Sequence, residues 1–77
     1  MDNETYRSKY SRLLVKLRLA REEAGLTQAQ VADALGKAQS FVSKIETGER
    51  RLDFIELQEL CKLYGKYISY FEEDITR

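Results

Sequence analysis

The chain has 77 residues, 13 basic and 13 acidic side chains, a formal net charge of zero and no histidine. That length makes one small domain, residues 1–77, with a modest core and no room for a deep substrate pocket. Without histidine there is no His-built metal site, no His-based proton transfer and no Ser-His-Asp triad. In chain order, Met1 to about Thr5 is polar and expected to fray. A long helix is predicted from about Tyr6 to Ala24. Tyr6, Tyr10, Leu13, Leu14, Leu17 and Ala24 keep one helical face, and Arg7, Lys9, Arg12, Lys16 and Arg18 lie mostly on the others. Gly25 ends it as a left-handed C′ residue.

Thr27 and Gln30 form a capping box, with apolar Leu26 just before it to pin the chain entry. A short helix follows from Gln28 to Leu35, with Val31, Ala32 and Leu35 on its inner face. Gly36 and one or two more residues connect it to a second short helix, from Gln39 to Glu46, that buries Phe41, Val42 and Ile45. So short a turn forces a steep crossing. Ala32 lets the two helices approach, and Gly36 can take the left-handed turn conformation without a Cβ penalty. With Val42 and Ile45 inward, Gln39, Ser40, Ser43, Lys44 and Thr47 face out. This polar, amide-bearing face can hydrogen-bond base edges in a major groove.

Gly48 stops that helix, and Arg50 and Arg51 in the loop behind it are candidate phosphate contacts. Asp53 and Glu56 make a second capping box, with Leu52 and Leu57 as a hydrophobic staple. Leu57, Leu60, Cys61 and Tyr64 then form a buried stripe that ends at Gly65. Ser69 and Glu72 are read as opening a fifth, short helix. Its apolar set of Tyr67, Ile68, Tyr70, Phe71 and Ile75 is more than one short helix can bury in its own domain. Charge is unevenly divided: residues 1–51 hold ten Lys/Arg against seven Asp/Glu, and residues 52–77 hold three against six. The basic part carries the paired short helices, a polarity that suits one face toward phosphates.

The segment 28–47, with Gln28, Ala32, Gly36, Val42 and Ile45 inside the runs GLTQAQVADALG and QSFVSKIETGER, resembles the helix-turn-helix of the phage repressor and Cro-like family, the XRE family. The similarity runs from about Leu13 to about Phe71. It implies an all-α, five-helix, lambda-repressor-like DNA-binding domain, here with a first helix two or three turns longer than usual. It further implies that Gln28 bonds a phosphate and steadies a residue of the recognition helix. Arg21 would pair with Glu46, and the region of Tyr67, Ile68, Tyr70 and Phe71 would form a two-fold dimer contact. Completion of the monomer core is the rival role for Tyr70 and Phe71. Two departures stand out. Ala38 replaces the usual Ser or Thr cap of the recognition helix, so that end should fray in the free protein and order on DNA. Phe41 replaces a small residue and either packs on the loop 48–52 or touches a thymine methyl. The extra turns near Tyr6 to Arg12 could meet a partner subunit, reach phosphates or stay solvated.

The resulting expectation is a homodimer that binds a pseudo-palindromic double-stranded operator and represses transcription. Base contacts would come from Gln39, Ser40, Ser43 and Lys44, and backbone contacts from Thr27, Gln28, Lys37 and Arg50. A protein-interaction module, such as the antitoxin partner of a toxin, is the alternative, and it would add an unknown protein partner. No cofactor or metal is expected: one cysteine cannot build a thiolate cluster, and no phosphate-loop motif is present. Buried Cys61 fits a reducing cytoplasm. No signal peptide is visible and no apolar run approaches the ~20 residues of a membrane span.

Overall fold

A computed structural model describes residues 3–75, and the side chains of residues 5–72. The described residues fold into α1 (Asn3–Glu23), α2 (Gln28–Leu35), α3 (Gln39–Thr47), α4 (Phe54–Tyr64) and α5 (Ile68–Ile75), with no strand among them. The fold is therefore all-α. α1 begins three residues earlier than its apolar face suggests, so Asn3 to Thr5 are helical rather than frayed; Met1 and Asp2 lie outside the described residues. No described helix is long and apolar enough to cross a membrane.

The core is one cluster to which every helix contributes. Leu13, Leu17 and Ala20, spaced by four and three residues, line the inner face of α1. Val31 and Ala32 come from α2, Val42 and Ile45 from α3, Leu60, Cys61 and Tyr64 from α4, and Phe71 from α5. Ala32 keeps 2% of its surface exposed, and its lack of bulk lets α3 cross close over α2. Cys61 is a buried free thiol whose pKa is raised by burial, as suits a small apolar filler. Burial likewise pushes the Tyr64 phenol up to about 12.

Local chemistry sets where helices begin and end. Both capping boxes form: Thr27 accepts from the Gln30 N–H while Gln30 accepts from the Thr27 N–H, and Asp53 and Glu56 do the same. At the tight α2–α3 turn Gly36 has φ of 68°, and the Lys37 N–H closes back to the Ala32 carbonyl at 2.9 Å. Gly48, φ 85°, has a second reason to be glycine: a Cβ there would lie 3.1 Å from Leu14 Cδ1. α1 therefore runs close under the end of α3.

The C-terminal segment corrects two expectations. α5 starts at Ile68, so Ser69 is its second residue and not its N-cap. Phe71, expected at a dimer contact, is 1% exposed and sits in the monomer core, because α5 packs onto both α1 and α4. Tyr70 is half-buried, edge-on to Phe71 with centroids 4.9 Å apart, and its ring carries the Lys16 and Lys66 ammonium groups at 4.5 and 4.6 Å. Of the predicted apolar surface, Tyr67 stays out, 87% exposed. The side chain of Ile75 lies outside the described residues.

Phe71→Ala should therefore lower unfolding stability by about 3–5 kcal/mol, whereas Tyr67→Ala should stay within about 0.5 kcal/mol in the monomer. Urea denaturation of the two variants at a protein concentration that keeps the chain monomeric checks this.

Candidate nucleic-acid interface

α3 is presented to solvent by what is packed beneath it. Val42 and Ile45 anchor it in the core, so Gln39, Ser40, Lys44 and Thr47 are exposed and Ser43 is half-buried beside them. The Thr47 hydroxyl donates to the Lys44 carbonyl at 3.3 Å, closing the last turn. At the other end Ala38 offers no side-chain acceptor. The N–H groups of Gln39 and Ser40 are left for solvent or an incoming acceptor, while that of Phe41 reaches the Ala38 carbonyl.

The angle of α3 is fixed by a polar cluster beneath it. Arg21 donates through Nε to Glu46 Oε2 at 2.6 Å and through Nη2 to Glu46 Oε1 at 3.2 Å. Its Nη1 donates to the Leu26 carbonyl at 2.8 Å. Gln28 Nε2 donates to Glu46 Oε1 at 2.9 Å. One carboxylate thus ties the end of α1, the start of α2 and the last turn of α3. The side chains of Arg21 and Glu46 are 11% and 6% exposed, so this pair is nearly dry. Its hydrogen bonds to Glu46 hold the Arg21 pKa above the ordinary arginine value. The Gln28 amide has a second N–H besides the one bound to Glu46.

Behind α3 the loop is held by a second pair. Arg50 donates through Nη1 and Nη2 to Glu56 Oε1 and Oε2 at 2.9 and 2.8 Å, and its guanidinium lies 4.5 Å from the Phe41 ring centroid. Phe41 thus packs against this loop, with Lys37 Nζ 5.4 Å from the same ring. Arg50, expected at the DNA backbone, has its guanidinium committed to Glu56. The sequence reading missed this pair because Glu56 was already explained by its capping box; one carboxylate serves both Asp53 N–H and Arg50. The available signal was a basic residue three positions before a capping Asp, within reach of the box's own Glu. Thr27 caps α2, Gln28 opens its first turn and Lys37 lies in the α2–α3 turn. Among the described residues no group of acidic or cysteine side chains could hold a metal.

Two stacked short helices, a glycine turn between them and a polar outer face on the second define a DNA-binding helix-turn-helix. The family model described as helix-turn-helix matches residues 17–71. A solved structure, an XRE-family like protein from Pseudomonas syringae pv. tomato, is 41% identical with a TM-score of 0.84, over 92% of this chain and 87% of that one. The chain belongs to the XRE-type helix-turn-helix family, a fold of DNA-binding regulators and not of enzymes. A segment of a curated protein, glutamine–fructose-6-phosphate aminotransferase of Methanocaldococcus jannaschii, is 45% identical over 65 residues. That match spans 80% of this chain but only 6% of the aminotransferase, so the activity in that name is not carried over to this chain.

Two outcomes are expected. Glu46→Ala strands the Arg21 charge and should cost about 3–5 kcal/mol, whereas Arg21→Met with Glu46→Leu should recover most of that loss. The double variant should still bind DNA more weakly, because Gln28 and the angle of α3 lose their tie; denaturation and duplex titration on the same samples separate the two effects. The second concerns acid. Hydrogen bonds from Arg50, then from the Asp53 N–H, hold the Glu56 pKa below the ordinary glutamate value. The stability it lends is present above that ordinary value, about 4.3, and disappears as pH falls through the lowered folded value. Glu56→Gln should flatten the acid limb of stability against pH, as urea midpoints across that range will show.

Proposed function

We propose that the domain acts as a homodimer on a pseudo-palindromic operator and represses transcription from the promoter it covers. The observation that carries this reading is the exposed face of α3, held at a fixed angle by the Arg21–Glu46–Gln28 cluster. Gln39 reads a base edge, most naturally adenine through N6 and N7, and Lys44 takes guanine or a phosphate. Ser40 and Ser43 add short polar contacts. Thr27, Gln28 and Lys37 grip the backbone and set register without reading sequence. Arg50 shapes the loop behind α3 through Glu56. The subunit contact draws on Tyr67 and on the outer edges of Ile68 and Tyr70, the part of the C-terminal apolar set that the monomer core leaves at the surface. Regulation comes from dimerisation, concentration or a partner protein, in the compartment that holds the DNA, which the sequence suggests is the cytoplasm.

Selection of random duplexes on the purified protein at about 0.15 M salt should enrich an inverted repeat. Its half-site centres should lie about 34–36 Å apart, or at a multiple of that spacing. Gln39→Ala should weaken that site by about 1–3 kcal/mol and relax preference at one base pair per half-site. Tyr67→Ala should move sedimentation toward monomer and lower operator affinity. An enriched site without inverted symmetry would sink the dimer reading. Failure of the wild-type operator to silence a linked reporter would sink repression.

A further inference from the structure

α1 carries an N-terminal stretch that precedes the helix-turn-helix match at residue 17. Within it Tyr6 and Tyr10, one helical turn apart, stack with ring centroids 6.0 Å apart and planes at 27°. Both rings meet the loop behind α3. The Arg51 guanidinium lies 5.0 Å from the Tyr6 centroid and 5.3 Å from that of Tyr10. Arg51 Nη1 donates to Tyr6 Oη, and the Leu52 N–H donates to Tyr10 Oη at 3.2 Å.

The two arginines of this loop are in opposite electrostatic states. Arg50 meets a carboxylate at 2.8 Å, which cancels most of its charge at short range. Arg51 meets two neutral phenols, and among the described residues no carboxylate reaches it within ion-pair distance. Glu49 lines the same open concavity, with Arg7, Ser11 and Gly48, but makes no ion pair with Arg51. A guanidinium stacked on rings spends its face and not its edge, and it has five N–H groups of which Tyr6 takes one. Arg51 is therefore an exposed fork held by two rings and without a carboxylate partner among the described residues, four residues beyond the end of α3.

We propose that Arg51 is the phosphate ligand of the α3–α4 loop, and that Tyr6 and Tyr10 are positioning residues that hold it for the DNA backbone. This rests on the DNA-binding reading and adds a role for the elongated α1. On this proposal the tyrosines reach the DNA through Arg51 alone, the Leu52–Tyr10 bond serving the fold, so their effect on DNA must vanish when the Arg51 charge is gone.

The test titrates the operator obtained with the wild-type domain at several salt concentrations. Each variant is first checked for helical content and for its urea midpoint. Arg51→Gln should bind more weakly and flatten the slope of log affinity against log salt by about 0.9 per subunit. Tyr6→Ala with Tyr10→Ala should weaken binding in the wild-type background and add no further loss in the R51Q background. An unchanged slope in R51Q overturns the proposal, as does an equal loss from the tyrosine pair with and without Arg51. If the alanine pair unfolds, Tyr6→Phe with Tyr10→Phe takes its place, and the same dependence on Arg51 must hold. A wild-type domain that is folded yet enriches no duplex overturns the DNA reading and this inference with it. Normal wild-type binding with an indifferent R51Q overturns this inference alone.

Discussion

The Glu46 carboxylate sits where three helices meet, and the direction of α3 depends on it. Two charges this dry are costly to bury, and the cost is offset because both oxygens are filled: Oε2 by Arg21 Nε, and Oε1 by Arg21 Nη2 and Gln28 Nε2. The remaining face of the guanidinium fork is satisfied by the Leu26 carbonyl. A well-packed apolar pair could be as stable. What it could not do is define one angle, since apolar side chains repack over a range of shapes while a two-pronged fork fits a carboxylate in one plane. The cluster is thus best understood as an aiming device: it sets where Gln39 and Lys44 point, and the apolar core beneath supplies most of the free energy.

The two ends of α3 are held very differently. Its C-terminal end has Glu46 tied to α1 and α2, Gly48 seated against Leu14, and a following loop locked by Arg50 on Glu56 and Phe41. Its N-terminal end has Ala38, with no capping side chain, and only the backbone bond from the Phe41 N–H to the Ala38 carbonyl at 3.0 Å. A missing cap costs about 0.5–2 kcal/mol of local stability. The end without a capping side chain carries the exposed Gln39 and Ser40. An oxygen of a phosphate or a base edge is a suitable acceptor for the N–H groups that Ala38 leaves without a side-chain cap.

Features that depend on neighbours within a turn or two were legible in the sequence. Both capping boxes, the glycine stops, the inward stripe of α4 with Cys61, and the inner faces of α2 and α3 follow from residue spacing, and each has its counterpart in the structure. The Arg21–Glu46 contact spans 25 residues and came into view only through family resemblance. The contacts that escaped altogether join distant segments with no shared period: Arg51 to Tyr6 across 45 residues, Leu52 to Tyr10 across 42, and Lys16 to the Tyr70 carbonyl across 54. Phe71 shows a different limit. Composition says that Tyr67, Ile68, Tyr70 and Phe71 cannot all be buried, but which one turns inward depends on where α5 begins. A start at Ile68 puts Phe71 one turn on and against α1, while Tyr67 falls before the helix and stays in solvent.

A chain with no net charge is an unlikely nucleic-acid binder only if a phosphate senses the sum. At physiological salt a surface charge is felt over about 8 Å, and this molecule measures 36 × 23 × 20 Å along its principal axes. The sum therefore matters less than the local census of charges around α3, which includes Glu56 and Glu59 of α4 in one concavity with Lys37. In that census Arg21, Arg50, Lys62 and Lys66 are already matched by Glu46, Glu56, Glu59 and Glu23. Lys37, Lys44 and Arg51 have no such carboxylate among the described residues, and they lie in the turn before α3, on α3 and in the loop behind it. Three cations without a carboxylate partner thus stand on and around α3, the helix whose polar outer face is presented to solvent.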